Sequence, residues 1–312
     1  MKLTEQFKEA RIIDIKVPTS LAICNPSLVA SQEGWDVLVR ALDPVPYQGD
    51  DCEFLSSENW LVRYYPDFSV RSIFKLNDLD FRNNCREATH GLEDGRLFYW
   101  KHQLFGLFSG LRREGNKYFN TMVLSKIDGD TLVDPLVIPS PQGQEREKNW
   151  MPYVKNDELY LIYSTQPMEV YRYTGKLERL GREEKQHAKL TIPPLGGAML
   201  SGSSQLIDWG ETSLAVVHHR RKSPLLGKLV MKHVTKDPDY QRKKVQFDHY
   251  FIRLDKDFNL MARSKKFQFE TSGVEFCAGL ALGSQGILLS YGVMDRLARI
   301  IHLNNKEFDI IW

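Results

Sequence analysis

Cysteine is scarce in this sequence, and its scarcity excludes chemistry. The four residues, Cys24, Cys52, Cys85 and Cys277, are widely spaced and form no C-x-x-C pair, which disfavours a structural zinc site. Reduced thiols are the plainer reading, since disulfides belong to oxidising compartments. No apolar stretch approaches the length of a membrane-spanning helix, and Met1 to Lys16 lacks the apolar block of a secretion signal. A cytoplasmic location is expected. Neither sign of charge prevails: 42 basic and 40 acidic residues leave a formal +2, which gives no reason to expect a nucleic-acid or membrane partner. Helical periodicity is also nearly missing, with Phe7 to Ile13 able to make a turn or two and little else. The dinucleotide fingerprint, P-loop and H-E-x-x-H motifs are absent. Gly202-Ser203-Ser204 lacks the strand–turn–helix setting of a nucleophile elbow. His218 and His219, adjacent on a strand, would point to opposite faces and make poor joint metal ligands.

What is present is a repeated hairpin. Two apolar runs joined by a polar or glycine turn recur five times. The pairs are Pro26–Ala30 with Trp35–Arg40, Arg96–Trp100 with Leu104–Ser109, Trp150–Lys155 with Leu159–Ser164, Gln205–Trp209 with Ser213–His218, and Phe276–Leu282 with Ile287–Tyr291. Further strand-like runs follow several of them, at Phe119–Ile127, Val170–Tyr173, His249–Leu254 and Ala298–Leu303. Strands without intervening helix-length segments argue against a parallel α/β sheet. A two-sheet sandwich competes, but it would not require five similar hairpins. The pattern predicts an all-β fold, a five-bladed β-propeller spanning residues 1–312 as one domain. A basic insertion at about 219–246 falls in the fourth blade and includes Arg221, Lys222, Lys228, Lys232, Lys236, Arg242, Lys243 and Lys244. It reads as a solvated loop, with a flap or an anion-binding arm as the functional alternative.

In a propeller, the starts of the innermost strands gather at one mouth of the central channel, where a ligand site is assembled from several blades. Those places are polar here: Asn25 and Arg40; Glu93, Asp94 and Arg96; Glu147, Lys148 and Asn149; Ser203, Ser204 and His218; Glu275, Tyr291 and Asp295. Each has a structural alternative, such as an ion-pair partner or a hydrogen-bonded core histidine. Recurrence in all five units favours a site for a hydroxyl-rich ligand such as a sugar, whose groups must all be paired. Two carboxylates suit glycosidic cleavage. Asp94 is the candidate acid: Glu93 and partial burial should raise its pKa, and Arg96 should oppose them. Glu275 is the candidate second carboxylate.

Glu93-Asp94-Gly95-Arg96 resembles the E-D-P-R motif of family 130 of the glycoside hydrolases. Asn25-Pro26-Ser27 with Arg40, Lys148-Asn149-Trp150 with Pro152, Val217-His218, Glu275–Gly279 and Tyr291–Asp295 resemble further elements of that family, in the same order. The resemblance runs from about Asn25 to Leu303. It implies a five-bladed propeller acting on a β-mannoside-like glycan by an inverting mechanism, as hydrolase or phosphorylase, with Asp94 as proton donor. Phosphate would be held by Arg40, Lys148 and His218. The sugar would be bound by Asn25, Arg40, Glu93, Arg96, Asn149, Ser203, Tyr291 and Asp295. No resident cofactor is implied, and inorganic phosphate would enter as co-substrate. The partner is an oligosaccharide or glycoside; self-association into a homo-oligomer stays open. Two departures bear on activity: Gly95 replaces the motif's proline, loosening the turn that aims Asp94, and Glu275 stands where the phosphorylases carry an apolar residue. A related β-1,2-mannosyltransferase activity and a non-catalytic glycan-binding propeller are the alternative readings.

Overall fold

The computed structural model describes residues 1–42, 57–115, 117–180, 200–222, 243 and 245–312. Cys52 and most of the basic insertion lie outside the described residues; Cys24, Cys85 and Cys277 are buried free thiols. Five separate antiparallel sheets form the five blades of a β-propeller. Blade one is β2 (Ala22–Ser31), β3 (Gly34–Leu42), β4 (Glu58–Tyr64) and β5 (Val70–Lys75). Blade two is β6 (Leu92–Trp100), β7 (Gln103–Glu114), β8 (Lys117–Asp128) and β9 (Thr131–Ile138). Blade three is β10 (Met151–Lys155), β11 (Glu158–Thr165), β12 (Met168–Tyr173) and β13 (Leu177–Arg179).

Blade four splits its innermost strand into β14 (Leu200–Gly202) and β15 (Ile207–Trp209), both paired with β16 (Thr212–Lys222), followed by β17 (Val245–Leu254) and β18 (Leu260–Arg263). Blade five is β19 (Glu275–Gly283), β20 (Gly286–Val293) and β21 (Leu297–Asn304), completed by β1 (Arg11–Asp14) from the other end of the chain. Pairing of β1 with β21, Ile12 opposite Ile301, ties the two ends together and closes the ring.

The five predicted hairpins are the inner hairpins of the five blades. The N-terminal expectation needs correction: Phe7–Ile13 is not helical. A short helix covers Leu3–Gln6 instead, and Arg11–Ile13 belongs to β1, because ring closure offers this segment an edge to pair with. Helices at Leu79–Asn84 and Asn305–Ile311 were also not expected. The second has a reciprocal capping box between Asn304 and Glu307, a readable start signal.

The apolar core is divided by blade seam. Leu38 and Leu61 pack on Leu97 and Phe108 between blades one and two. Leu107 and Met122 pack on Trp150 and Leu161 between blades two and three. Met151 and Ile162 meet Val217 and Ile252; Val216 and Phe251 meet Cys277 and Leu289; Val37 and Val62 meet Leu288 and Ile300. Each sheet is covered on both faces, so strands such as β20, buried along its whole length, read as apolar runs and not as alternation. At roughly 1.5–3 kcal/mol for each large side chain buried, the seams supply the main driving force for ring formation.

Polar bonds tie the inner strands across the axis. Gln205 Nε2 donates to the Leu28 carbonyl at 2.6 Å and the Leu280 carbonyl at 2.8 Å, joining blades four, one and five. The Leu97 amide donates to Ser27 Oγ at 2.9 Å, and Ser290 Oγ donates to the Pro26 carbonyl at 2.6 Å.

Candidate active site

Three blades present a residue of one kind at one place. Asn25, Asp94 and Asn149 have φ of 47°, 44° and 65°, the left-handed region that Asn and Asp tolerate better than other non-glycine residues. Asn25 and Asp94 sit in β-bulges, where the register of β2 on β3 shifts between Cys24 and Ser27 and that of β6 on β7 between Glu93 and Arg96. An extra residue leaves the ladder there and re-aims its side chain. Asn25 Nδ2 donates to Asp94 Oδ1 at 2.8 Å. The approach needs Gly292 of blade five, because a Cβ there would meet the Asn25 amide nitrogen at 2.6 Å.

Glu93 and Asp94, consecutive in sequence, have different surroundings. The Glu93 side chain is only 2% exposed and accepts from three strands or loops. Its donors are Arg40 Nη2 at 2.5 Å, Lys148 Nζ at 2.8 Å and Asn120 Nδ2 at 3.4 Å. Asp94 is 17% exposed and accepts from Arg40 Nη1 at 3.3 Å. Burial raises the Glu93 carboxyl, but Arg40 and Lys148 outweigh it and hold the group below the usual range. The same holds for Asp94: burial raises it, and Arg40, Lys148, Arg96 and the Asn25 amide bring it down to about 2. This reverses the direction expected from sequence, where Glu93 and burial were to dominate. The cations win because Arg40 touches both carboxylates.

Arg96 is fully buried and makes three hydrogen bonds. Its Nη1 donates to the Asp94 carbonyl at 2.6 Å, its Nη2 to Asn149 Oδ1 at 3.1 Å and its Nε to the Ser203 carbonyl at 3.0 Å. The guanidinium also lies 5.1 Å from the centroid of the Phe276 ring. Burial lowers its pKa to about 10, with Asp94 opposing, so it stays charged at neutral pH. Arg96 therefore ties the bulge of blade two to Asn149 of blade three and Ser203 of blade four, beside Phe276 of blade five.

Ser203 Oγ lies 2.8 Å from His218 Nδ1, both buried. Burial, then His249 and Arg96, push His218 well below its ordinary value, so it is neutral. Asp295, partly buried, interacts electrostatically with Arg40.

Glu275 and Tyr291 face a neighbouring network. Glu275 is buried and accepts backbone N–H bonds from Phe269, Glu270 and Thr271, each at 2.7 Å. Burial lifts its carboxyl to about 7, opposed by those three donors. Its oxygens hold a loop and do not reach Asp94's partners. Tyr291, also buried, donates to Glu270 Oε1 at 2.6 Å and stacks on Phe269 at 4.1 Å.

Thus Asn25, Arg40, Glu93, Asp94, Arg96, Lys148 and Asn149 come together in one hydrogen-bonded cluster, and Ser203 and His218 join it through Arg96. Asn120 was missed by sequence reasoning. In the sequence it is one polar residue of β8 beside Thr121, with Ser125 further on, and nothing local marks it as a partner of Glu93.

Gly95 has a packing role. A Cβ there would meet Leu38 Cδ2 at 2.4 Å and Phe108 Cδ1 at 2.7 Å. The glycine makes room for the Phe108 ring beneath the bulge, and Arg96 fixes the turn from the other side. Among the described residues no cluster of His, Cys, Asp and Glu could hold a metal ion, and no helix is long and apolar enough to cross a membrane.

No family model and no curated protein matches the sequence. Solved structures do match. A mannose phosphorylase from Leishmania mexicana, in complex with phosphate ion, is 12% identical with a TM-score of 0.59, covering 99% of this chain and 93% of its own. A GDP-Man-dependent mannosyltransferase from the same organism is 11% identical with a TM-score of 0.56, covering 96% and 93%. A third comes from the GH130 family of mannoside phosphorylases, described as containing hydrolases that target β-1,2 mannosidic linkages in Candida mannan. It is 12% identical with a TM-score of 0.57, covering 92% and 85%. The likeness to family 130 that the motifs suggested is met as a remote likeness of fold, the five-bladed propeller, over nearly the whole chain.

Proposed function

We propose that this protein is a carbohydrate-active enzyme that phosphorolyses a β-mannoside-like glycosidic bond with inversion. The observation that carries the reading is the pairing of one partly open carboxylate, Asp94, with two cations, Arg40 and Lys148, held in place by a buried counter-ion, Glu93. Phosphate oxygen attacks the anomeric carbon, the bond to the leaving oxygen breaks, and Asp94 gives that oxygen its proton. Asp94 must be protonated to do so. An anion bound at Arg40 and Lys148 offsets the charges that depress its pKa, so phosphate binding favours the acid form. Neutral His218, beside Ser203, supplies a further hydrogen-bonding group to the anion.

Phosphorolysis is favoured over hydrolysis by Glu275. A hydrolase needs a base to activate water, and this carboxylate is engaged with three backbone amides. The test is incubation with β-1,2-mannobiose, with and without inorganic phosphate, reading mannose 1-phosphate. Phosphate-dependent product that falls at least about a hundredfold in Asp94→Asn supports the reading, general-acid catalysis being worth about 10²–10⁴-fold. Release of free mannose without phosphate would replace it with hydrolysis. A transferase shares the fold, so GDP-mannose is the second donor in the same assay. Sugar binding with no turnover from either donor would leave a glycan-binding propeller.

A further inference from the structure

Arg40 is bonded at the two ends of its fork. Its Nη2 donates to Glu93 Oε1 at 2.5 Å and its Nη1 to Asp94 Oδ1 at 3.3 Å. Two such contacts fix an axis through the planar guanidinium but not its rotation about that axis; a third contact, at Nε, fixes the plane. The Arg40 Nε atom is shut away from solvent and has no hydrogen-bond partner among the described residues. A buried donor that has given up its hydration ordinarily finds an acceptor.

A matching acceptor stands on the next strand. Asn59 lies opposite Arg40 in the pairing of β3 with β4. Side chains directly opposite in an antiparallel pair rise from one face of the sheet, with Cβ atoms about 4.5–5.5 Å apart. That face is turned to blade two, since Asn59 Nδ2 donates to the Leu92 carbonyl at 2.9 Å. The same bond sets the amide's orientation: only its nitrogen can donate to a carbonyl, so Oδ1 is the free end. Asn59 Oδ1 is also buried without a hydrogen-bond partner among the described residues. The residue is only 3% exposed, and asparagine is a poor strand former, so its place in β4 has a cause beyond the ladder.

The two atoms are complementary, one donor and one acceptor, but they do not bond to each other. One water accepts from Arg40 Nε and donates to Asn59 Oδ1, and two polar partners are enough to hold a buried water. We infer that Asn59 is a positioning residue for Arg40, acting through one buried water between Asn59 Oδ1 and Arg40 Nε. Glu93, Asp94 and this water then contact the guanidinium at three points and fix its plane. The same asparagine acts on blade two, because Leu92 immediately precedes Glu93. Strand β4 thereby sets both the cation and the start of the bulge that carries Asp94. The consequence for anion binding rests on the reading of Arg40 as a phosphate ligand; the water and its two partners do not.

Two substitutions isolate the link. Asn59→Leu keeps the size of the side chain and removes the acceptor. It also removes the bond to Leu92, but Ser57 Oγ donates to the same carbonyl at 2.9 Å, so that carbonyl stays paired. Arg40→Lys keeps the positive charge and removes the N–H at the Nε position. If Asn59 acts through Nε, its removal matters only while Arg40 is an arginine. If it acts by holding Leu92, its removal matters equally with either cation.

The test has two parts. A crystal structure of the full-length protein, at a resolution that shows ordered water, should place one molecule within about 2.7–3.2 Å of both Arg40 Nε and Asn59 Oδ1. The second part is a double-mutant cycle on Asn59→Leu and Arg40→Lys, read by urea unfolding and by calorimetric titration with inorganic phosphate. Asn59→Leu should weaken phosphate binding about two- to tenfold, the worth of one hydrogen bond, and should have no such effect in the Arg40→Lys background. The loss of stability in the double variant should be smaller than the sum of the single losses. No bridging water, a direct Arg40–Asn59 bond, additive stability losses, or an equal phosphate effect in both backgrounds would overturn the inference. A parent that binds no phosphate, with the water in place and the unfolding cycle non-additive, defeats only the phosphorolysis proposal. Phosphate-dependent turnover with no bridging water and additive losses defeats only this one.

Discussion

Replacing Glu93 with glutamine should weaken the fold and strengthen anion binding together. Glu93 accepts from Arg40, Lys148 and Asn120 and is almost wholly buried. A glutamine keeps the shape but loses the charge, and its amide nitrogen must face a donor. Breaking a buried ion pair by removing one partner costs about 3–5 kcal/mol. Lys148 is 31% exposed and regains solvation, so the low end, about 3 kcal/mol, is expected. That is a large share of the roughly 5–15 kcal/mol stability of a folded domain and is readable in urea unfolding. At the same time Arg40 and Lys148 lose their counter-ion. A unit charge about 6 Å from a bound anion, at an effective dielectric of about 20, is worth about 3 kcal/mol, or roughly a hundredfold in affinity. Phosphate titration by calorimetry, at a fixed salt concentration, measures this. Lower stability with unchanged phosphate affinity would mean that the two cations do not face a shared anion site. Unchanged stability would mean that Glu93 is not the counter-ion described.

Other variants test the bracing around this pair. Arg96→Lys cannot reach Asp94, Asn149 and Ser203 at once, so it should lose at least two bonds worth about 1.5–3 kcal/mol each, and lower turnover more than it changes phosphate affinity. Gly95→Ala should destabilise by about 1–3 kcal/mol through overpacking on Leu38 and Phe108, and pairing it with Phe108→Leu should restore part of the loss in thermal unfolding. Burial lifts Glu275 from 4.5 to about 7, so its protonated form favours folding. The stabilisation is present below about pH 4 and lost as pH rises through about 7, by about 3 kcal/mol. Stability measured across that interval should fall in the parent and lack this segment in Glu275→Gln; a flat parent curve would sink the assignment.

The inner hairpins were legible in the sequence because each is local: two apolar runs and a turn, such as Trp150–Lys155, Asn156-Asp157 and Leu159–Ser164, carry their own pattern. The order of the polar residues at the strand starts was legible for the same reason, and it led to Asp94 and its neighbours. Ring closure was not, because β1 becomes a strand only when β21, almost the whole chain away, offers its edge. Glu275 shows the same limit. In sequence it is one more acidic residue before a strand, and only the approach of the Phe269–Thr271 amides gives its oxygens a different task. The sign of the Asp94 shift also depended on tertiary structure, since it is set by distances to Arg40, Lys148 and Arg96, which come from three blades. Composition and period dictate what forms within one hairpin. Which charges meet is decided where hairpins far apart in the chain are packed round the ring, because electrostatic and steric effects depend on separation in space and not along the sequence.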